Sequence, residues 1–270
     1  MRFFDSHAHY DDRRFSEEFP GGVDAALRYV YSQGVRRICD VGASLRSSTE
    51  ALAMADFYAG QEGYPLLCAS VGLHPCDTLE VPDIMVQDVL DEIRQMAAHP
   101  KAVAVGEIGL DYYWDADHHD RQKRMFDLQL SLAEEVKKPV IIHDRDAHGD
   151  VFDILAAHPH VRGILHSYSG SPEMARQLAD KGWYISFSGP VTYKNAVKVK
   201  ESCAIVPDDL LLLETDAPYL PPVPHRGKMN HSGYLVHTAA VMAELRGTTA
   251  EAIAELTWRN ACRIFDLPED

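Results

Sequence analysis

The sequence predicts an α/β protein built as a single (β/α)8 barrel of the TIM type, extending over residues 1–270. Short β-rich runs recur eight times along the chain, and helical patterns separate them. Several of these runs are continuously apolar, as expected for parallel strands that are covered on both faces. The length of 270 residues suits one barrel of this kind.

The eight predicted strands are short and recur along the whole chain. They span residues 3–7, 37–41, 66–71, 103–108, 139–143, 163–166, 184–187 and 210–214. The competing architecture is a doubly wound open sheet, which often carries a glycine-rich phosphate loop after a strand. No G-x-G-x-x-G motif or P-loop follows any of the eight runs, and this favours the barrel.

Spacing and end signals mark the helices between the strands. Apolar residues at 23, 26, 27 and 30 follow the i, i+3, i+4, i+7 pattern, and a similar stripe runs from 86 to 97. Ser47 with Glu50 and Thr248 with Glu251 are predicted capping boxes at helix starts, and the last helix is expected to run to about residue 265. Ser171 before a proline is typical of a helix N-cap.

The charge balance is acidic. Lys plus Arg total 26 and Asp plus Glu total 41, which gives a net charge of 26 − 41 = −15. This balance argues against a protein that coats duplex DNA through a broad basic face, and it predicts weak non-specific DNA binding. It leaves room for a nuclease, because bound cations and a few local Arg and Lys side chains make a single cleft attractive to phosphate.

The cysteines and the amino terminus indicate a reduced compartment. The five cysteines are odd in number, scattered and without a C-x-x-C pair, so a disulfide framework or a thiolate zinc site is not expected. The chain starts without the apolar run of a signal peptide, and no apolar stretch reaches membrane-spanning length. We therefore expect a cytoplasmic protein that does not engage a membrane.

Titratable side chains occupy the ends of five predicted strands. The active site of a (β/α)8 enzyme forms at the carboxyl ends of its strands, so these positions are candidate ligands. An H-x-H pair alone is a weak signal, and the alternative is that these groups are polar residues satisfied within the core. Their recurrence in one layer favours mutual compensation through a cation. The candidate ligands are His7, His9, Glu107, His143, His166 and Asp216.

The donor set indicates which metals to expect. Four imidazoles and two carboxylates suit zinc, manganese or iron, and an open site also accepts magnesium. Six side chains exceed the three or four that one catalytic ion takes from protein, so two divalent ions bridged by one carboxylate are predicted.

The motifs that carry these residues resemble the TatD family of metal-dependent deoxyribonucleases, within the broader amidohydrolase-like barrels. The matching stretches follow the family order over nearly the full chain. They are Phe-Asp-Ser-His-Ala-His at 4–9, Val-Gly-Leu-His-Pro at 71–75, Gly-Glu-Ile-Gly-Leu-Asp-Tyr at 106–112, Ile-His-Asp-Arg-Asp-Ala at 142–147, Ser-Phe-Ser-Gly at 186–189, Glu-Thr-Asp-Ala-Pro-Tyr at 214–219 and Pro-His-Arg-Gly-Lys at 224–228.

The resemblance implies a ligand assignment. One metal would be held by His7, His9, Glu107 and Asp216, and the other by Glu107, His143 and His166, with Glu107 as the bridge. Two departures leave these ligands in place but alter the pocket: Ser-Tyr at 167–168, where the family more often has Cys and Phe, and Asp144, where it commonly has a small hydroxyl residue.

The resemblance also implies the reaction. It is hydrolysis of phosphodiester bonds in DNA by a 3′-to-5′ exonuclease that engages single-stranded ends. The acidic charge balance fits an enzyme that engages a short strand end rather than long duplex, and we expect a monomer. Asp216 and Glu107 are the expected catalytic residues, with Asp216 orienting and deprotonating a water molecule that the cations activate.

Substrate contacts are expected from side chains near the same strand ends. Arg145, His225 and Arg226 are predicted donors to phosphate, with a structural ion pair as the alternative for the two arginines. His74 is a predicted substrate contact, with a turn-anchoring side chain as the alternative. Aromatic residues after the strands are candidates for base stacking, with loop packing as the alternative: Tyr112, Tyr113, Trp114, Tyr168 and Tyr219. Six other histidines are expected to face solvent without chemistry: His118, His119, His148, His158, His160 and His237.

Two other functions fit parts of the pattern. Related barrels hydrolyse small amides, esters or lactones, and many use a modified lysine after strand four, where this chain has Glu107. A non-catalytic scaffold in DNA processing would be expected to have lost ligands, whereas all six are present. Both comparisons favour the nuclease.

Overall fold

The computed structural model describes residues 1–269 and has eight parallel strands in one sheet, in the order β1 to β8. Each predicted strand is present, with ends that differ from the prediction by at most a few residues. The strands are β1 Phe3–Ala8, β2 Val35–Val41, β3 Leu66–Val71, β4 Ala102–Asp111, β5 Val140–Arg145, β6 Gly163–Leu165, β7 Tyr184–Phe187 and β8 Leu211–Leu213.

Helices follow the strands and surround the sheet. Contacts between α3 and β3 and between α5 and β4 show the outer layer packed on the strands. The helices are α1 Arg13–Glu17, α2 Gly22–Ser32, α3 Leu45–Phe57, α4 Val86–Ala97, α5 His119–Val136, α6 His148–Ala157, α7 Pro172–Asp180, α8 Val197–Ile205, α9 Leu235–Arg246 and α10 Ala250–Ile264. This alternation confirms the predicted barrel of the TIM type.

The last strand meets the first through the segments that follow them. Ala8 and Ala217 form an isolated parallel bridge. The His9 amide donates to the Ala217 carbonyl at 2.7 Å, and the Asp216 amide donates to the His7 carbonyl at 2.9 Å. These bonds bring the residues after β1 and β8 together at the carboxyl end of the barrel.

Apolar side chains from all eight strands fill the interior of the barrel. Phe4 of β1 is 1% exposed, and its ring packs edge-on against Trp258 of α10 at 5.9 Å. Ile141, Ile164 and Leu212 belong to the same buried cluster. The interior is therefore a packed core, and α10 covers it near β1 and β8.

Two of the predicted helix starts were wrong. The N-cap of α3 is Ser44, whose side chain accepts from the Ser47 amide, so Ser47 is the third residue of the helix and not its cap. The N-cap of α10 is Thr249, with the extended backbone that a cap requires, and not Thr248. Ser171 caps α7 as predicted. Several Ser and Thr residues lie near each start, and only backbone geometry selects the one that caps.

Within residues 1–269, no helix is both long enough and apolar enough to cross a membrane.

Candidate metal centre

The six predicted ligands gather at the carboxyl end of the barrel. His7 lies in β1, Glu107 in β4 and His143 in β5, whereas the other three follow strand ends within a few residues. His7, Glu107, His166 and Asp216 are all buried. The strand ends thus bring together residues that lie up to 209 positions apart in the sequence, from 7 to 216.

One half of the cluster surrounds one carboxylate oxygen of Glu107. The Nε2 atoms of His7 and His9 are 3.1 Å apart. They lie 3.5 and 3.7 Å from Glu107 Oε2, and 3.7 and 3.5 Å from Asp216 Oδ1. Four donor atoms of four side chains therefore face one small space.

The other half surrounds the second oxygen of Glu107. Glu107 Oε1 lies 2.8 Å from His143 Nδ1 and 2.9 Å from His166 Nε2, and these two nitrogens are 3.5 Å apart. The Glu107 carboxylate therefore lies between two groups of ligands, which is the arrangement of a bridging carboxylate.

The tautomer of His9 tests whether this donor set fits a cation. His9 Nδ1 lies 2.8 Å from the Val41 carbonyl, which only accepts, so Nδ1 carries the hydrogen. In the neutral ring the lone pair of Nε2 then faces the Glu107 and Asp216 carboxylates. Such opposed acceptors call for positive charge, which either a second proton on the ring or a bound cation would supply, so the residues fit a metal. A metal-ligating histidine held by a carbonyl at its other nitrogen is a common arrangement.

The pKa values report the same demand for positive charge. Burial lowers the pKa of His9, but Asp216 and Glu107 outweigh burial and raise it to about 10. Burial raises the pKa of Glu107, yet His166, His7 and His143 hold it well below its ordinary value. For Asp216, burial is likewise outweighed by His9, His166 and His7, which lower the pKa. Both carboxylates are therefore ionised at neutral pH.

Two buried carboxylates that the sequence prediction did not assign hold the histidines from behind. Asp111 Oδ2 accepts from His143 Nε2 at 2.9 Å, which directs His143 Nδ1 to Glu107. Glu214 Oε1 lies 3.3 Å from His166 Nδ1 and accepts from the Ser167 amide at 2.6 Å. Their position at the ends of β4 and β8 was the available signal, because a fully buried carboxylate needs a partner.

The end of β8 is anchored to β1 by Asp5. Asp5 Oδ1 accepts from the Thr215 amide at 2.9 Å, and Oδ2 accepts from Thr215 Oγ1 at 2.5 Å. Burial raises the pKa of Asp5 to about 7. Asp216, which follows, has a φ of 59° in the left-handed region. Asp5 therefore sets the backbone that directs Asp216 toward His7 and His9.

The four predicted substrate contacts lie in different surroundings. His74 Nε2 is 3.9 Å from Glu107 Oε1, so His74 reaches the cluster. Arg145 is exposed, and its guanidinium lies 4.2 Å from the centre of the Tyr113 ring. Arg226 lies 4.4 Å over the Tyr193 ring.

His225 packs against side chains outside the six ligands. Its ring stacks on Tyr234 at 3.9 Å, and its Nε2 is 3.0 Å from His237 Nε2. Among the described residues, neither His225 nor Arg226 has a direct contact with the six-ligand cluster. The structure therefore brings His74 to the cluster and leaves the other three predicted contacts around it.

The prediction that six further histidines face solvent was wrong for His158. Its side chain is buried, and its Nε2 lies 2.8 Å from Asp127 Oδ1. A histidine that ends a helix can turn back onto the neighbouring helix, and no local pattern shows this. His118 and His160 are exposed as predicted, whereas His119, His148 and His237 are half-buried.

The departures from the family pattern have local partners. Asp144 Oδ2 lies 2.7 Å from His148 Nδ1, one helical turn onward. Tyr168 is buried, and its hydroxyl donates to the Ser171 carbonyl at 2.8 Å. Neither residue displaces one of the six ligands.

Comparison with known proteins identifies relatives along the whole chain. The chain is 41% identical over 264 residues to the uncharacterised metal-dependent hydrolase YabD of Bacillus subtilis strain 168, covering 97% of this chain and 98% of that one. It is 36% identical over 269 residues to the uncharacterised metal-dependent hydrolase YcfH of Escherichia coli K12, covering 99% and 97%.

A solved structure and a family model agree with these relatives. The crystal structure of YjjV, a TatD homologue from Escherichia coli K12, superposes with a TM-score of 0.87 at 33% identity and covers 99% of both chains. The family model described as TatD related DNase matches residues 4–266. The chain therefore belongs to the TatD family and is, by that membership, a metal-dependent hydrolase.

Proposed function

We propose that this protein is a divalent-metal-dependent deoxyribonuclease that removes nucleotides from the 3′ end of single-stranded DNA. The observation that carries the proposal is the position of Glu107, whose two oxygens face two separate groups of ligand atoms at 2.8 to 3.7 Å. A pair of cations held in this way matches the charge of a phosphodiester in the transition state.

The residues present fit two ions, with zinc, manganese or magnesium as candidates. His7, His9, Glu107 and Asp216 would hold one, and Glu107, His143 and His166 the other. When bound, the ions would polarise a phosphoryl oxygen and lower the pKa of a water molecule. The chain supplies the remaining groups.

Asp216 is the proposed proton acceptor. Its carboxylate is ionised because His9, His166 and His7 outweigh burial and lower its pKa. Its side chain is 13% exposed, whereas that of His7 is 1% exposed, so Asp216 borders the open side of the cluster. In this position it orients the attacking water toward phosphorus and takes its proton.

His74 is the proposed hydrogen-bond donor to the phosphate. Its Nδ1 accepts from the Cys76 amide at 3.2 Å, so the hydrogen of the neutral ring is on Nε2. Burial and His143 lower the pKa of His74 to about 3, which keeps the ring neutral. Nε2 is directed toward Glu107 and so toward an anion that is bound beside it. Arg145, Arg226 and His225 would contact phosphates farther along the strand.

The test is digestion of end-labelled single-stranded DNA by metal-reconstituted protein. With a 5′ label we expect a ladder that shortens progressively, and with a 3′ label we expect release of labelled mononucleotide at the first step. The matched variants are Glu107→Gln, which removes the bridge, and Asp117→Asn, which changes an exposed carboxylate of the β4–α5 loop. We expect the first to lose cleavage and the second to retain it.

Two outcomes would overturn this proposal. One is DNA that stays intact while small esters, lactones or amides are hydrolysed, which would assign the centre to acyl substrates. The other is cleavage that survives Glu107→Gln, which would place the chemistry elsewhere.

A further inference from the structure

We propose that Tyr113, Trp114 and Arg145 form a platform that stacks one unpaired nucleobase beside the metal centre and pairs with a phosphate of the same strand. This inference rests on the proposed function, because it adds the base-binding subsite of that nuclease. The three residues are called the rim platform below.

The exposure of its aromatic rings is the first observation. Trp114 is 70% exposed and Tyr113 is 55% exposed, whereas the other two tryptophans, Trp183 and Trp258, are 4% and 3% exposed. Large aromatic surface left open to water is typical of a binding site. The two rings are perpendicular, with centroids 5.0 Å apart, and both are open to solvent.

The second observation is that the rings are fastened to the metal centre. Asp111 Oδ1 accepts from the amides of Tyr113 and Trp114 at 3.0 and 2.8 Å. The other oxygen of the same carboxylate accepts from His143 Nε2 at 2.9 Å. The loop that carries the platform is therefore held one carboxylate away from a predicted metal ligand.

Arg145 gives the platform its positive charge. Its guanidinium lies 4.2 Å from the centre of the Tyr113 ring and 5.7 Å from that of Trp114. Within residues 1–269, its side chain has no carboxylate within 4.0 Å, although the chain has 41 acidic residues and a net charge of −15. A guanidinium held against an aromatic ring and lacking an acidic partner is suited to a phosphate.

The other candidate aromatics are less open or already engaged. Tyr112 stacks on His119 at 3.5 Å, and its hydroxyl donates to Asp150 at 2.5 Å. Tyr168 is buried. Tyr219 is 46% exposed, and its hydroxyl donates to Asp12 at 3.1 Å. Among the five aromatics named from the sequence, Trp114 thus has the largest open surface.

An unpaired base is the ligand that this chemistry selects. Every base has a flat face, so stacking on tryptophan tolerates any base sequence. The adjacent guanidinium pairs with a phosphate, so the ligand also needs a phosphate backbone. Bases inside a duplex already stack on their neighbours. The rim platform therefore favours single-stranded ends over paired ones.

Tryptophan fluorescence tests the contact without requiring cleavage. Because Trp183 and Trp258 are buried, quenching by acrylamide reports on Trp114. The probe is a thymidine oligonucleotide with uncleavable phosphorothioate links, and the control is an abasic strand of equal length and charge. We expect the thymidine strand to protect Trp114 from acrylamide and the abasic strand to leave it accessible. Equal protection by both strands, or by neither, would overturn the platform.

Kinetics test its contribution to substrate choice. For Trp114→Ala we expect the ratio of kcat/KM on oligothymidylate to kcat/KM on the abasic strand to fall about tenfold, which corresponds to about 1.4 kcal/mol of stacking. Trp114→Phe should keep the ratio within about threefold, since it retains a flat ring. The control is Phe57→Ala, an equally exposed aromatic (69%) at the end of α3, which should leave the ratio unchanged.

The two proposals fail differently. If the thymidine strand protects Trp114 from acrylamide but the protein cleaves no DNA, the platform stands and the proposed nuclease activity falls. If it cleaves DNA and Trp114→Ala leaves the ratio unchanged, the nuclease activity stands and the platform falls.

Discussion

Replacement of Asp111 by asparagine tests how the second group of ligands is held. The Asp111 carboxylate is 1% exposed and receives three hydrogen bonds, from the amides of Tyr113 and Trp114 and from His143 Nε2. Burial raises the pKa of Asp111, but His143 and the Trp114 amide outweigh burial and lower it, so the group is ionised. Both oxygens act as acceptors.

An asparagine side chain has one acceptor and one donor in place of these two acceptors. If its oxygen faces the two amides, its NH2 group opposes the N–H of His143. If it turns over, the NH2 group opposes the amides of Tyr113 and Trp114. The first orientation loses one charge-assisted hydrogen bond and the second loses two, so the first is favoured and costs about 1.5 to 3 kcal/mol. Because His143 Nδ1 is then no longer directed at Glu107, we expect metal affinity to fall about 10- to 100-fold.

The assay is metal binding by competition with a chromophoric chelator at neutral pH, together with thermal unfolding of the metal-free protein. Asp117→Asn is the control, because it makes the same chemical change at an exposed position of the same loop. The reasoning is refuted if Asp111→Asn and Asp117→Asn bind both metal equivalents alike and melt at the same temperature.

Three further predictions concern stability. Removing metal with EDTA should lower the free energy of unfolding by about 2.7 kcal/mol relative to protein with metal at about a hundred times its Kd. A melting temperature that does not change when metal is added, measured by differential scanning calorimetry, would contradict this. Burial and Asp11 raise the pKa of buried Asp40 from 3.8 to about 8. The folded protein therefore holds this proton more tightly than the unfolded chain, and the stability it contributes is lost as pH rises through that window. In EDTA, the free energy of unfolding of Asp40→Asn, measured by urea denaturation, should rise relative to that of the parent by about 2 kcal/mol as the pH increases from 6 to 9. A difference between the two proteins that does not change with pH would exclude proton release from Asp40 as the cause. Phe4→Ala should lower the free energy of unfolding by about 3 to 5 kcal/mol. The control, exposed Phe57→Ala, should lower it by less than about 0.5 kcal/mol. Comparable urea midpoints for the two variants would show that the barrel interior is not packed as described.

The barrel could be predicted from the sequence because its signals repeat. Most strands are short apolar runs, and five of the eight carry a titratable residue at or just after the carboxyl end, so both the fold and the ligand layer follow from one pattern. The predicted ligands converge for the same reason, since the carboxyl ends of parallel strands meet at one end of a barrel.

The positions that the sequence prediction missed depend on contacts between distant segments. Asp111 and Glu214 support His143 and His166 across strands, and nothing within their own segments specifies those partners. The loop after β8 places His225 against Tyr234 and His237, and its own motif specifies neither neighbour. Long-range geometry of this kind is absent from local spacing.

The joint between the first and last strands has a consequence for how the protein tolerates change. His7 and His9 on one side, and Asp216 on the other, supply both ligand atoms and backbone bonds across that joint. Under the proposed ligand assignment, metal occupancy and closure of the barrel would therefore be coupled equilibria, each stabilising the other. A substitution at this joint would weaken both metal binding and the closure of the barrel. A substitution on the opposite side of the barrel would not weaken both.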